Sequence, residues 1–134
     1  MQIIKPLPLG NQDGNTHSSD IVDLTKLSDT MLFAEFANIT YNPKDFHGKT
    51  LKIKGNFSVF YNPNTNEPYF AVTITDTLAC CLQAIEFILA GNPTFPKDYP
   101  PENSPIIVEG QYHIYGGHPE IGIYFARLEN ARFL

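Results

Sequence analysis

The chain has 134 residues, of which 43% are hydrophobic and 17% charged, with a formal net charge of −5. That is one domain's worth of chain with an ordinary core, and no run approaches the ~18 apolar residues of a membrane-spanning helix. The acidic balance counts against a protein that grips nucleic acid mainly through its phosphates, and 11 prolines with 9 glycines suit a small all-β fold better than a helical bundle.

Residues 1–20 carry the polar, glycine-containing stretch Gly10–Asp20, without periodicity, and read as a flexible N-terminal linker. No basic n-region followed by an apolar h-region opens the chain. From Ile21 the composition changes, and residues 21–134 read as the folded domain. Ser28 or Asp29 offers a side-chain oxygen to the amides of a first helical turn. Leu32, Phe36 and Ile39 then share one stripe, and Asn42-Pro43 stops the pattern, so a helix is predicted over 29–41.

The next segment, 50–60, alternates along its length. Leu51, Ile53, Phe57 and Val59 form an inner face, with Lys52, Lys54, Asn56 and Ser58 opposite, and Gly55 permits a bulge or bend. Tyr61–Pro68 is rich in Asn and Pro and predicts a hairpin loop to a second strand, 69–75. There Phe70, Val72 and Ile74 oppose Tyr69, Ala71, Thr73 and Thr75. A third strand runs over 82–89. The stretch 90–104 contains four prolines and reads as an irregular loop that Phe95 and Tyr99 pin to the core. The fourth strand covers 105–115, Gly116-Gly117 signals a hairpin turn, and the fifth strand covers 120–128. One N-terminal helix and five strands, with glycines inside the first and fourth, suggest a mainly β fold: a five-stranded Greek-key barrel of the OB type.

Phe46–Gly55, Tyr69-Phe70, Asp76–Cys81, Ile85–Phe87 and Ile107–Gly110 resemble a family of uncharacterised bacterial envelope lipoprotein domains. They are similar to the C-terminal domain of a permease-associated putative membrane protein family. The resemblance covers about residues 21–130, and the double cysteine after an aspartate is its most specific feature. It implies an extracytoplasmic, cell-surface location, a partner that is an envelope protein or a small ligand, and membrane contact only through a lipid anchor or tether. It implies no reaction.

Three groups of residues are candidates for function. Lys52, Lys54, Tyr69 and Thr73 fall on the outer face of the first two strands, with Tyr99 on the proline loop. OB folds bind oligonucleotides and sugars on such a surface, although lysines there also simply solubilise a strand. Cys80 and Cys81 permit three readings: one buried and one surface thiol, a disulfide between neighbours, or soft-metal ligation, with zinc the natural ion and Asp76, Glu86 or a histidine completing the set. His47, His113 and His118 invite a metal reading without a recognised spacing, His113 and His118 flanking the Gly116-Gly117 turn. No nucleophile elbow, phosphate loop or carboxylate pair is recognisable, so no enzyme is expected. The leading expectation is a non-catalytic binding or adaptor domain of the envelope without a cofactor. The alternatives are a metal-binding or redox-responsive domain and a single-stranded nucleic-acid binder, the latter disfavoured by charge.

Overall fold

The computed structural model describes residues 20–76, 78 and 81–134. The linker expected at 1–20 lies outside them except for Asp20, and so does Cys80. The elements in chain order are β1 (Ile21–Asp23), α1 (Asp29–Tyr41), β2 (Thr50–Tyr61), β3 (Pro68–Thr75), β4 (Leu82–Leu89), β5 (Pro105–His118) and β6 (Ile123–Phe133). The described residues are therefore mainly β with one α-helix.

The helix follows from its ends and its stripe. The Ser28 side chain accepts from the Met31 amide at 3.2 Å, satisfying one of the orphan donors of the first turn, and Asp29 stands near the positive end of the helix dipole. Asn42 leaves the helical region at φ −129°, ψ 56°, as a residue before proline tends to do. Leu32, Phe36 and Ile39 are buried, and the helix packs against β4.

The six strands form one mixed sheet in the order β1-β2-β3-β4-β6-β5, with β5 also paired to β2. Five of the strands thus complete a ring of pairings, and β1 is added outside it, parallel to β2 through Ile21↔Thr50, Val22↔Leu51 and Asp23↔Lys52. The long strand β2 serves two neighbours. Thr50–Asn56 pair antiparallel with β5, and Asn56–Tyr61 pair antiparallel with β3. Gly55 lies at this change of partner. A Cβ there would meet the Thr73 carbonyl oxygen at 2.6 Å and Val72 Cγ1 at 2.7 Å, so the absence of a side chain is what lets β3 come this close.

The core is drawn from every main element: Leu51, Ile53 and Phe57 of β2, Val72 of β3, Ile85 and Phe87 of β4, Val108 and Tyr112 of β5 and Leu128 of β6, joined by the helix stripe. Phe57 is the centre of an aromatic cluster, with ring centroids 5.9 Å from Phe70, 5.9 Å from Tyr99, 6.3 Å from Phe87 and 6.5 Å from Phe133. The proline loop is fastened here as its aromatics suggested, with Tyr99 stacked on Phe70 at 4.3 Å and Phe95 at 5.1 Å from the same ring.

Two sequence expectations are corrected. Gly116-Gly117 does not turn the chain. β5 continues through both glycines to His118, with an irregular register between Ile114 and Gly116, and the reversal comes at Pro119–Gly122, where Gly122 takes φ 78°. The central part of β3 is not half-buried: Ala71 and Thr73, assigned to the outer face, are 2% and 4% exposed. Both sit in the middle strand of three, Ala71 between Ser58 and Glu86 and Thr73 between Asn56 and Ala84, and cross-strand neighbours are what an alternation pattern within one strand does not register.

Candidate functional site

The groove of interest lies over the seam between β4 and β6. These strands run parallel, and their ladder is confined to Phe87↔Leu128 and Leu89↔Ala131. Beyond Phe87 toward the start of β4, side chains take over from backbone pairing. Glu86 on β4, Tyr115 on β5 and Arg127 on β6 meet there. The Arg127 guanidinium sits 4.1 Å from the centre of the Tyr115 ring, a cation–π contact. The Tyr115 hydroxyl donates to Glu86 Oε1 over a long 3.4 Å, and Arg127 Nε donates to Glu129 Oε2 at 3.0 Å.

Tyr69 extends this surface onto β3. Its ring stacks on Phe60 at 5.5 Å and 26°, across the register pair Phe60↔Tyr69. On the other side Phe125 lies 6.2 Å from Tyr115. Tyr69, Tyr115 and Phe125 are all between 41% and 46% exposed, so the strip is open to solvent along its length. The hairpin loop at Asn62–Glu67 and the start of the proline loop at Gly91–Pro93 wall an open groove of about 870 Å³ over its Tyr69 end. That size lies in the range of small-molecule sites, which combine aromatic walls with a few placed polar groups.

The electrostatics follow from partial burial. Loss of solvent pushes the Glu86 carboxyl above its ordinary range, opposed by the positive charge of Arg127 and by the Tyr115 hydrogen bond. Burial also raises the Tyr115 hydroxyl, and the neighbouring Glu86 charge adds to the shift. Tyr99 is raised by burial and by Asp98. Tyr112, in the core, is pushed up to about 12 by burial alone.

The residues singled out in the sequence are distributed unequally over this geometry. Tyr69 and Tyr99 line the groove, Tyr99 mainly as the ring that closes the aromatic cluster. Lys52 and Lys54 do not join them. They belong to the half of β2 paired with β5, at Lys52↔Glu109 and Lys54↔Ile107, and Lys54 borders a second depression with Leu32, Tyr99, Ile106 and Phe133. Thr73 is buried, its hydroxyl within 2.7 Å of Ser58 Oγ and donating to the Asn56 carbonyl at 3.2 Å, so it presents nothing to a ligand.

Glu86 proves to be a groove residue. Its carboxylate is engaged by Tyr115 and Arg127, whereas Cys81 precedes β4 and its carbonyl accepts from the Asp76 amide at 3.2 Å. Cys80 of the predicted set lies outside the described residues, and among the described residues no three His, Cys, Asp or Glu side chains converge as metal ligands do. His113 and His118 lie on one strand at His113↔Arg127 and His118↔Ile123 and do not face each other across a turn. His113 stands instead against His47 at 5.1 Å, and His47 Nδ1 accepts from the Ile114 amide at 3.0 Å. Tyr115, Phe125 and Arg127 were not singled out in the sequence. The available signal was their repeated placement on one face of two strands joined by a short turn.

No family model matches the chain, and no curated protein matches it. Among solved structures it is similar to a protein of Klebsiella pneumoniae subsp. pneumoniae described as a "putative nucleic acid-binding lipoprotein", with 18% identity and a TM-score of 0.48 over 92% of this chain and 99% of the other.

Proposed function

We propose that the chain is a non-catalytic binding domain, an OB-type barrel whose ligand lies across Tyr69, Glu86, Tyr115 and Arg127. The ring of pairings β2-β3-β4-β6-β5-β2 supports the barrel reading, since it is the strand order that a five-stranded Greek-key barrel requires. The observation that carries the binding reading is the exposed aromatic strip of Tyr69, Tyr115 and Phe125, backed at one end by the half-buried Phe60, which crosses the ring outside the core and is bordered by two irregular loops. Exposed aromatics gathered on a concave surface are a feature of recognition sites, because they offer a large contact area and few rotamers to freeze. Placement at the bacterial cell surface, with an envelope protein or a small ligand as partner, comes from the sequence resemblance alone.

The test is a fragment screen by ¹H–¹⁵N NMR on the 134-residue chain. Binding fragments should cluster their amide shifts on β3, β4 and β6 around Tyr69, Glu86 and Arg127. Shifts that gather instead around Lys54 and Ile106, or fragments that fail to bind the strip, would sink the proposal.

A further inference from the structure

We infer that the groove takes a neutral saccharide, a flat polyol carrying no phosphate or ammonium group. This deepens the binding reading above and rests on it. The charges set into the groove are Glu67, Glu86 and Arg127. Two carboxylates against one guanidinium leave no excess of positive charge, and Arg127 is already engaged by Glu129. A phosphate chain entering here finds no lysine and meets two anions, so the ion-release term that drives nucleic-acid binding is missing. A cationic ligand stacking on Tyr115 would meet the guanidinium of Arg127, which already occupies a face of that ring. What the surface offers is hydrogen bonding around a small negative balance, one carboxylate in excess of the guanidinium, together with aromatic platforms.

The platforms are spaced across strands. Tyr69 is held by its stack on Phe60, and Tyr115 is held between Arg127 and its bond to Glu86. The electron-rich faces of such rings attract the polarised C–H groups on the flat side of a pyranose. Glu86 is a half-buried acceptor that a ligand hydroxyl can reach from the open groove. Asn92 at the wall adds an amide group that donates and accepts, and Asn62, whose Oδ1 already accepts from the Asn64 amide at 2.8 Å, adds its NH2 donor.

The experiment is calorimetric titration of the chain with homo-oligomers six sugars long, of glucose, mannose, galactose, xylose and N-acetylglucosamine, beside a twelve-nucleotide oligothymidine. At least one saccharide should bind at neutral pH with an affinity that salt leaves unchanged. Tyr69→Ala and Tyr115→Ala should each weaken it by about tenfold, the scale of losing one stacking platform. Tyr69→Phe should retain binding, and circular dichroism of each variant separates a lost platform from a lost fold. Binding of the oligothymidine, weakened by salt and by Arg127→Ala, with no saccharide bound, overturns the saccharide class and leaves the groove reading standing. Saccharide binding unaffected by both alanine variants overturns the assignment to this groove. No binding by any of the probes overturns the saccharide inference, and the fragment screen then decides whether the groove binds anything.

Discussion

Replacing Gly55 with alanine tests how β2 serves two neighbouring strands. At Gly55 the strand pairs with Ile106 of β5, one residue before Asn56 takes up Thr73 of β3. The new methyl group would lie 2.6 Å from the Thr73 carbonyl oxygen and 2.7 Å from Val72 Cγ1. Neither can yield cheaply. The carbonyl is backbone, and Val72 is a fully buried β-branched residue with restricted χ1. Opening the first contact even to 3.0 Å takes 3.0 − 2.6 = 0.4 Å of strand movement. Two unyielding contacts place the cost at the upper end of the overpacking range, about 3 kcal/mol. For a chain of this size each kcal/mol lowers the melting temperature by roughly 3–5 °C, so a fall of about 9–15 °C is expected by scanning calorimetry. Gly116→Ala is the control. Its added carbon meets only Phe125 Cδ2 at 3.6 Å, an ordinary contact, and its stability should change by less than about 1 kcal/mol. If Gly55→Ala melts within about 3 °C of the parent, β2 and β3 do not approach as closely as the geometry states.

Three further outcomes follow from other contacts. Thr73→Val keeps shape but leaves Ser58 Oγ and the Asn56 carbonyl without their shared partner, so urea unfolding should show a loss of about 1–3 kcal/mol, and an unchanged midpoint would mean that water replaces the hydroxyl. Ser28→Ala removes the cap on the Met31 amide and should cost about 1 kcal/mol by the same assay, with Ser28→Asp restoring it. The Glu86 carboxyl is raised in the folded state by burial, so its proton is held more tightly folded than unfolded, and its ionisation opposes folding. That cost is absent below the unfolded value, grows as pH rises through the folded value, and is complete above it. Glu86→Gln should therefore raise the melting temperature at neutral pH, with the gain fading as pH falls toward the ordinary carboxylate range. A variant that melts lower at neutral pH would show that attraction to Arg127 outweighs burial.

The features legible in the sequence were those written in local chemistry. The helix ends are set by Ser28 and Asn42-Pro43, and the observed span, Asp29–Tyr41, agrees with them because capping is a matter of adjacent residues. The alternation in 50–60 located β2 and its inner face for the same reason. Ile21–Asp23 has only three residues and pairs in parallel, too short for any period to register. The turn after β5 was misplaced because Gly116-Gly117 carries a stronger turn signal than Pro119–Gly122, while the strand keeps both glycines in register, paired with Phe125 and Tyr124, after an irregularity at Tyr115. The groove was half visible. Tyr69 could be read from its strand face and Tyr115 and Arg127 meet across the β5–β6 hairpin, but Glu86 joins them only through the parallel β4–β6 pairing, which links distant segments and leaves no mark within either strand. Lys52 and Lys54 show the converse: strand-face alternation grouped them with Tyr69, whereas the change of partner at Gly55 puts them on a different stretch of the ring.

The divided pairing of β2 also orders events as the polypeptide emerges during synthesis. Asn56–Tyr61 can zip to β3 as soon as the hairpin loop has been made, but Thr50–Asn56 must wait for β5, beyond the proline loop. During that interval Leu51 and Ile53 stand on a strand edge able to template a neighbouring molecule. Lys52 and Lys54 interrupt that apolar run at every second position, and charge so placed discourages intermolecular pairing. The two lysines can thus be explained as guardians of an immature edge, important for yield and solubility in the cell even though the finished protein uses neither of them in its groove.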